Sequence, residues 1–318
     1  MSTSTDKAET TGPADHEQRD RRLWGWMQLV RPPNLFSVPG DPLAGMALVA
    51  GSMTFAGVYA KAGGVILAAL LLYAAGLVLN DWCDRHIDAV ERPDRPIPAG
   101  LVPAGQALAA AIALMLAAIA VAGLILSPAA GLVALALAGL IVSYNAFAKR
   151  IPILGIPNMA LCRSASILLG GAAVIDRAGG RSQWLWVAAV VIFVYIVLVS
   201  LVALHETDRL PAKWLLILLA AFPFLLLASG LQRLSGDGCP YVWVAWVLSA
   251  LYLWHIVKSL WQNTVIERTP MFIGHLIRNL IFMQAFWIAA GGGFCFWLAG
   301  ILLLWPLSGV VGKWFYSS

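Results

Sequence analysis

Residues 62–79 read AGGVILAALLLYAAGLVL. At about 1.5 Å per helical residue this uncharged run crosses most of the roughly 30 Å hydrocarbon layer of a bilayer. It has many counterparts. Apolar stretches of spanning length fall at about 34–59, 63–83, 104–126, 129–147, 158–176, 185–205, 212–231, 241–261 and 279–304. The composition agrees: 60% of the residues are hydrophobic and 12% charged, with a mean hydropathy of +0.81, far outside the range of soluble globular domains. The expected fold class is therefore all-α, a polytopic integral membrane protein of about nine transmembrane helices.

The first 20 residues are polar and lack an apolar core, so they do not form a signal peptide. Residues 1–22 are expected to be a disordered tail, and 23–318 a single transmembrane domain. The segment RRLWGWMQLVRPPN mixes Arg21, Arg22 and Arg31 with Trp24 and Trp26. It suits either a short helix in the headgroup layer or the start of the first span.

Charge fixes an orientation. With the N-terminus in the cytoplasm, nine spans leave Lys61, Arg177, Arg181, Arg233 and Lys313 outside and Arg163 within a span. The remaining Lys and Arg residues are cytoplasmic, as the positive-inside rule requires. The C-terminus is then expected outside, and a bacterial cytoplasmic membrane is the expected location. The net charge of +5 reflects this bias at helix ends and not nucleic-acid binding. Cys83, Cys162, Cys239 and Cys295 are scattered without CxxC pairing, which suggests neither a zinc site nor a disulfide framework.

The second apolar run ends in NDWCDRHID, residues 80–88. On a helix, Asn80, Asp84 and Asp88 recur every four residues, drifting about 40° and rising about 6 Å per step. Like charges at that spacing repel unless a cation lies between them. Oxygen ligands favour a hard ion such as Mg²⁺, which commonly completes its shell with water and substrate phosphate. Asp81 points about 100° away and can support the site or supply a further ligand. Four prolines then stiffen residues 92–106, where Arg92 and Arg95 are placed to hold an anion.

The stretch NDWCDRHIDAVERPDRPIPAG closely resembles the NDxxDxxxD motif and following loop of the UbiA superfamily of intramembrane prenyltransferases. RPPNLFSVPGDPLAG at 31–45 and YNAFAKR at 144–150 are similar to further family segments, and the EboC-like branch is similar in flavour. The resemblance implies a UbiA-like bundle that transfers an isoprenoid from an allylic prenyl diphosphate to an acceptor within the membrane. It implies Mg²⁺ on Asn80, Asp81, Asp84 and Asp88, Lys149 and Arg150 on the diphosphate, and Asn34 supporting the metal. Tyr144 is implied as a substrate contact. Arg163 should face the bundle interior, because a lipid-facing charge is costly, as an anion contact or half of an ion pair.

The family's second acidic motif falls at VALHETDRLPAKW, where Glu206 and Asp208 are two apart, about 200° around a helix. A second metal there requires the helix to end first, which Pro211 favours. Asp208 is a candidate catalytic carboxylate, and His205 a candidate substrate contact or base. Glu267, Arg268 and His275 belong to the connection after the eighth span. Other readings are a non-catalytic isoprenoid-lipid binder or transporter, or a terpene cyclase. A CDP-alcohol phosphatidyltransferase lacks its upstream Asp-Gly and Ala-Arg elements here. The acceptor and the donor length are left open by the sequence.

Overall fold

A computed structural model describes residues 13–51, 57–177, 182–204, 213–234, 241–262, 269–292 and 295–315. All regular elements among them are helical. A helix α1 (Pro13–Val30) leads through a short turn α2 (Pro32–Leu35) into α3 (Gly40–Ala50), followed by α4 (Val58–Glu91) and α5 (Ala104–Ala120). A π-helical turn at Val121–Leu126 precedes α6 (Pro128–Ala146), which a 3₁₀ turn at Ala148–Arg150 joins to α7 (Pro152–Ala172). Then come α8 (Ser182–Ala203), α9 (Lys213–Leu234), α10 (Tyr241–Gln262), α11 (Thr269–Ala290) and α12 (Cys295–Phe315). Among the described residues seven helices are long and apolar enough to cross a membrane, and shorter apolar stretches lie in α3, α9 and α12.

The boundaries follow local chemistry. Ser127 caps α6: its Oγ accepts from the Ala130 amide at 3.0 Å and donates to the Ala172 carbonyl at 2.8 Å, with Pro128 opening the first turn. Two expectations are corrected and one open choice is decided. Helix α1 begins at Pro13, so residues 13–22 are helical and not a tail, because Glu17, Gln18 and the arginines are good helix formers. Of the two readings left open for residues 21–34, the structure takes the separate helix: Arg31 has a left-handed φ of 47° at the break between α1 and α2. The expected span 279–304 crosses a break, because α11 stops at Ala290 before glycines at 291–293 and Gly292 has a φ of 78°. His275 lies on α11, which begins at Thr269, and not in a connection.

The expected first span, 34–59, also contains only a half-length helix. α3 has 11 residues, about 16 Å, and is buried from Gly40 through Val49. Close backbone approach explains its position. A Cβ on Gly45 would strike the Ile167 carbonyl, one on Gly170 the Pro42 carbonyl, and one on Gly291 the Ala47 backbone. Small residues thus let α3 press directly against α7 and the end of α11. A buried polar ladder links the other helices: the Tyr195 hydroxyl on α8 donates to the Leu276 carbonyl at 2.7 Å, and Asn279 reaches Tyr195 and Ser249.

Candidate active site

α4 has 34 residues, about 51 Å at standard rise and well beyond the hydrocarbon thickness. Its C-terminal turns therefore carry Asn80 to Asp88 past the apolar run on an unbroken rod. Beside it lies a cavity of about 330 Å³, walled by α4 from Ala69 to Asn80, by α6 from Leu137 to Asn145 and by α7 from Met159 to Ser166, with Arg31 and Val38 closing one side. Leu72, Leu77, Leu137 and Ile141 make the wall apolar, while Arg31, Asn80, Tyr144 and Arg163 supply polar groups.

The motif side chains gather around two cations, and Asn80 links the two groups, its Nδ2 donating to Asp81 Oδ1 at 3.3 Å. Lys149 Nζ lies 2.7 Å from Asp84 Oδ1 and donates to Asn80 Oδ1 at 3.0 Å. Arg95 Nη1 bridges Asp81 Oδ1 at 3.2 Å and Asp88 Oδ2 at 3.4 Å, and Arg31 Nη2 joins Asp81 at 2.5 Å. The expected single stripe of Asn80, Asp84 and Asp88 is therefore corrected. Residues 81 and 88 differ by only about 20° around a helix, less than the 80° accumulated from 80 to 88. Asp84 is also the open member, its side chain 24% exposed against 5% for Asp81 and 6% for Asp88.

Neighbouring cations are sorted in the same way. Arg95 turns inward, while Arg92 is exposed at the end of α4. The 3₁₀ turn directs Lys149 inward and leaves Arg150 exposed. Tyr144 lines the cavity. Asn34 is half-buried in α2, where its carbonyl accepts from Ser37 Oγ at 3.1 Å, away from the cavity lining. His205, Glu206, Asp208 and Glu267 lie outside the described residues.

Arg163 faces the interior and has a partner that the sequence does not reveal. Its Nε is 2.8 Å from Asp41 Oδ2, and its Nη2 donates to the Ser37 carbonyl at 2.6 Å. Gln284 Nε2 donates to Asp41 Oδ1 and to the Ser37 carbonyl, each at 2.7 Å. This knot joins α3, α7 and α11 beside the cavity. Asn145 was likewise not anticipated: it is buried, its Nδ2 donates to the Ile141 carbonyl at 3.0 Å, and its Oδ1 on the cavity wall is unpartnered.

No group of three His, Cys, Asp or Glu converges on one point among the described residues. The donor chemistry nonetheless fits Mg²⁺. Asn80 Oδ1 and Asp84 Oδ1 already share one cationic atom, the Lys149 ammonium, and Mg²⁺ needs only one or two carboxylates when phosphate and water complete its shell.

The UbiA prenyltransferase family profile matches residues 42–277, from α3 to the middle of α11 and including the motif and the cavity wall. The chain belongs to this family. It is similar to a digeranylgeranylglyceryl phosphate synthase of Natronomonas pharaonis, 34% identical over 162 residues that cover 48% of this chain and 53% of the relative. A bacteriochlorophyll synthase 33 kDa chain of Cereibacter sphaeroides is 43% identical over 65 residues, 20% of this chain and 21% of the relative. The chain thus spans about half the length of the synthases it matches first. A solved structure concerning digeranylgeranylglyceryl phosphate synthase in membranes superposes with a TM-score of 0.61 at 18% identity, covering 85% of this chain and 98% of that one. At that identity the likeness speaks for the UbiA fold.

Proposed function

We propose that the protein is a Mg²⁺-dependent prenyltransferase acting on an allylic prenyl diphosphate at the mouth of the cavity. The observation that carries this reading is the Lys149 ammonium held between Asn80 Oδ1 and Asp84 Oδ1 at the polar end of an apolar cavity. That arrangement offers oxygen ligands for a divalent ion and a mobile cation for phosphate in one place.

Asn80 and Asp84 would hold the ion, with Asp81 and Asp88 retaining Arg31 and Arg95 beside it. Bound Mg²⁺ supplies neutralisation of the negative charge that accumulates on the leaving diphosphate. Lys149 exchanges its carboxylate for a phosphate oxygen. The allylic C–O bond then breaks with its electron pair leaving on diphosphate, and a carbon or oxygen of the acceptor captures the allylic cation and loses a proton. Leu72, Leu77, Leu137 and Ile141 keep water from the isoprenoid tail. Asp208 and His205 are proposed to complete the acceptor side, and the mouth is proposed to face the cytoplasm, a reading that the Lys and Arg bias of the sequence supports.

The names of the matched synthases point to two product classes, a glyceryl phosphate lipid and a bacteriochlorophyll, and acceptors of both belong in the assay. Diphosphate release by the purified protein is expected to require Mg²⁺, to stop in EDTA and to be lost in Asp84→Ala. A folded preparation that binds donor and releases nothing with any acceptor would instead identify a non-catalytic isoprenoid-lipid binder.

A further inference from the structure

One oxygen of the cavity wall has no partner. Asn145 on α6 is 3% exposed, and its Nδ2 donates to the Ile141 carbonyl at 3.0 Å and to the Gly76 carbonyl of α4 at 3.4 Å. Both contacts are acceptors, so the amide cannot be turned around without setting Oδ1 against two carbonyl oxygens. Oδ1 is therefore fixed as the lone-pair end of the side chain, and it is buried without a hydrogen bond. Among the described residues, no other buried side-chain oxygen in that condition belongs to a residue that lines the cavity.

A buried acceptor gives up its hydration without return unless a donor meets it. Its place limits what that donor is. Gly76 lies four residues, about 6 Å, before Asn80 on α4, so Asn145 stands one turn inside the mouth, at the depth of the carbon that a diphosphate held there would carry. A carboxylate or phosphate anion has no proton to give to an amide oxygen. No carboxylate among the described residues lines the cavity, so a buried ammonium would go unanswered. A neutral hydroxyl meets both conditions. The α4 wall opposite, with Ala69, Leu72, Gly76 and Leu77, is apolar and suits the isoprenoid.

We propose that Asn145 is a specificity-determining residue whose Oδ1 accepts a hydrogen bond from a neutral hydroxyl of the prenyl acceptor and holds it beside the allylic carbon. The inference rests on the prenyl-transfer reading and names the class of acceptor, a hydroxyl compound. Asn145 takes no proton in this role; it selects and orients. An acceptor that presents only a carboxylate leaves the oxygen unmet and binds more weakly, because a site built to meet a hydroxyl rejects a ligand without one.

The test uses the full chain in detergent with Mg²⁺ and inorganic diphosphate, and two probes: a hexadecyl glycerol ether with free hydroxyls and the same ether with its hydroxyls methylated. Dissociation constants are read by microscale thermophoresis. Wild type should bind the free-hydroxyl probe about tenfold tighter, the effect of leaving one buried acceptor unmet. Asn145→Leu should bring the two constants together, chiefly by weakening the hydroxyl probe. If Asn145→Leu does not fold, Asn145→Ala replaces it, and the wild-type ratio decides in either case. Equal binding of the probes by wild type would overturn the proposal. So would a preference that survives in the variant while both probes weaken together, the mark of a structural role. Mg²⁺-dependent diphosphate release from farnesyl diphosphate is followed on the same preparation. Its absence with the tenfold preference intact would remove the prenyl-transfer reading and leave Asn145 as a hydroxyl-binding residue, whereas release with equal probe binding would remove the role of Asn145 alone.

Discussion

Two clusters of arginine and aspartate flank the same cavity, and they behave differently because of where their charges sit. At the mouth, Asp84 is one-quarter exposed and its cation is a flexible lysine. In the knot, Asp41 is completely enclosed, on helices fixed together through Gly45 and Gly170, while the two cations, Lys149 and Arg163, are buried to a similar degree. A carboxylate that water reaches can take a new cation without being stranded, so the first pair is the easier one to exchange. Pairs of the second kind add little net stability over an apolar replacement, yet breaking one strands a buried charge. Similar pairs thus exchange ligands in one place and hold helices in the other.

The sharpest test of that contrast is Asp41→Ala, expected to cost on the order of 3–5 kcal/mol by leaving Arg163 unanswered. Chemical unfolding in detergent measures the loss. The double variant Asp41→Leu, Arg163→Met should recover most of it, and failure to recover would mean that the charges do more than hold α3. At the mouth, Asp84→Ala should leave the unfolding midpoint nearly unchanged while lowering Mg²⁺-dependent turnover by about 10²–10³-fold. A matching fall in stability would erase the distinction between the clusters. Gly170→Ala places a Cβ on the Pro42 carbonyl and should destabilise by about 1–3 kcal/mol, read as a lower midpoint with bound-donor affinity preserved. Lys149→Met should raise the affinity for Mn²⁺ alone, by electron paramagnetic resonance titration, while weakening inorganic diphosphate binding about tenfold. Arg150→Met, the exposed neighbour, should change stability by less than about 0.5 kcal/mol and bind Mn²⁺ as wild type does.

Much of this arrangement was legible in the sequence, and the parts that were not share a cause. Uninterrupted apolar runs located α4 to α10, and the acid spacing located the mouth at the end of α4. Lys149 was legible only through the resemblance of YNAFAKR to a family segment. Asp41 was not, since its partner lies more than one hundred residues away and both sit within apolar sequence that gives no period. Gln284 was hidden for the same reason. The division of the acids failed because a four-residue step accumulates drift, while the seven-residue step from Asp81 to Asp88 nearly closes two turns. The break after Ala290 was concealed by apolar residues on both sides of the glycines, which keep hydropathy high where the helix ends.

Because α4 is continuous, it measures as well as supports. The cavity follows it from Asn80 down to Ala69, a depth of about 16 Å. An isoprenoid whose diphosphate is fixed at the mouth and whose tail exceeds that depth has to continue between helices into the surrounding lipid. For long donors the bilayer becomes the far half of the binding site, and membrane thickness and fluidity enter the affinity for substrate.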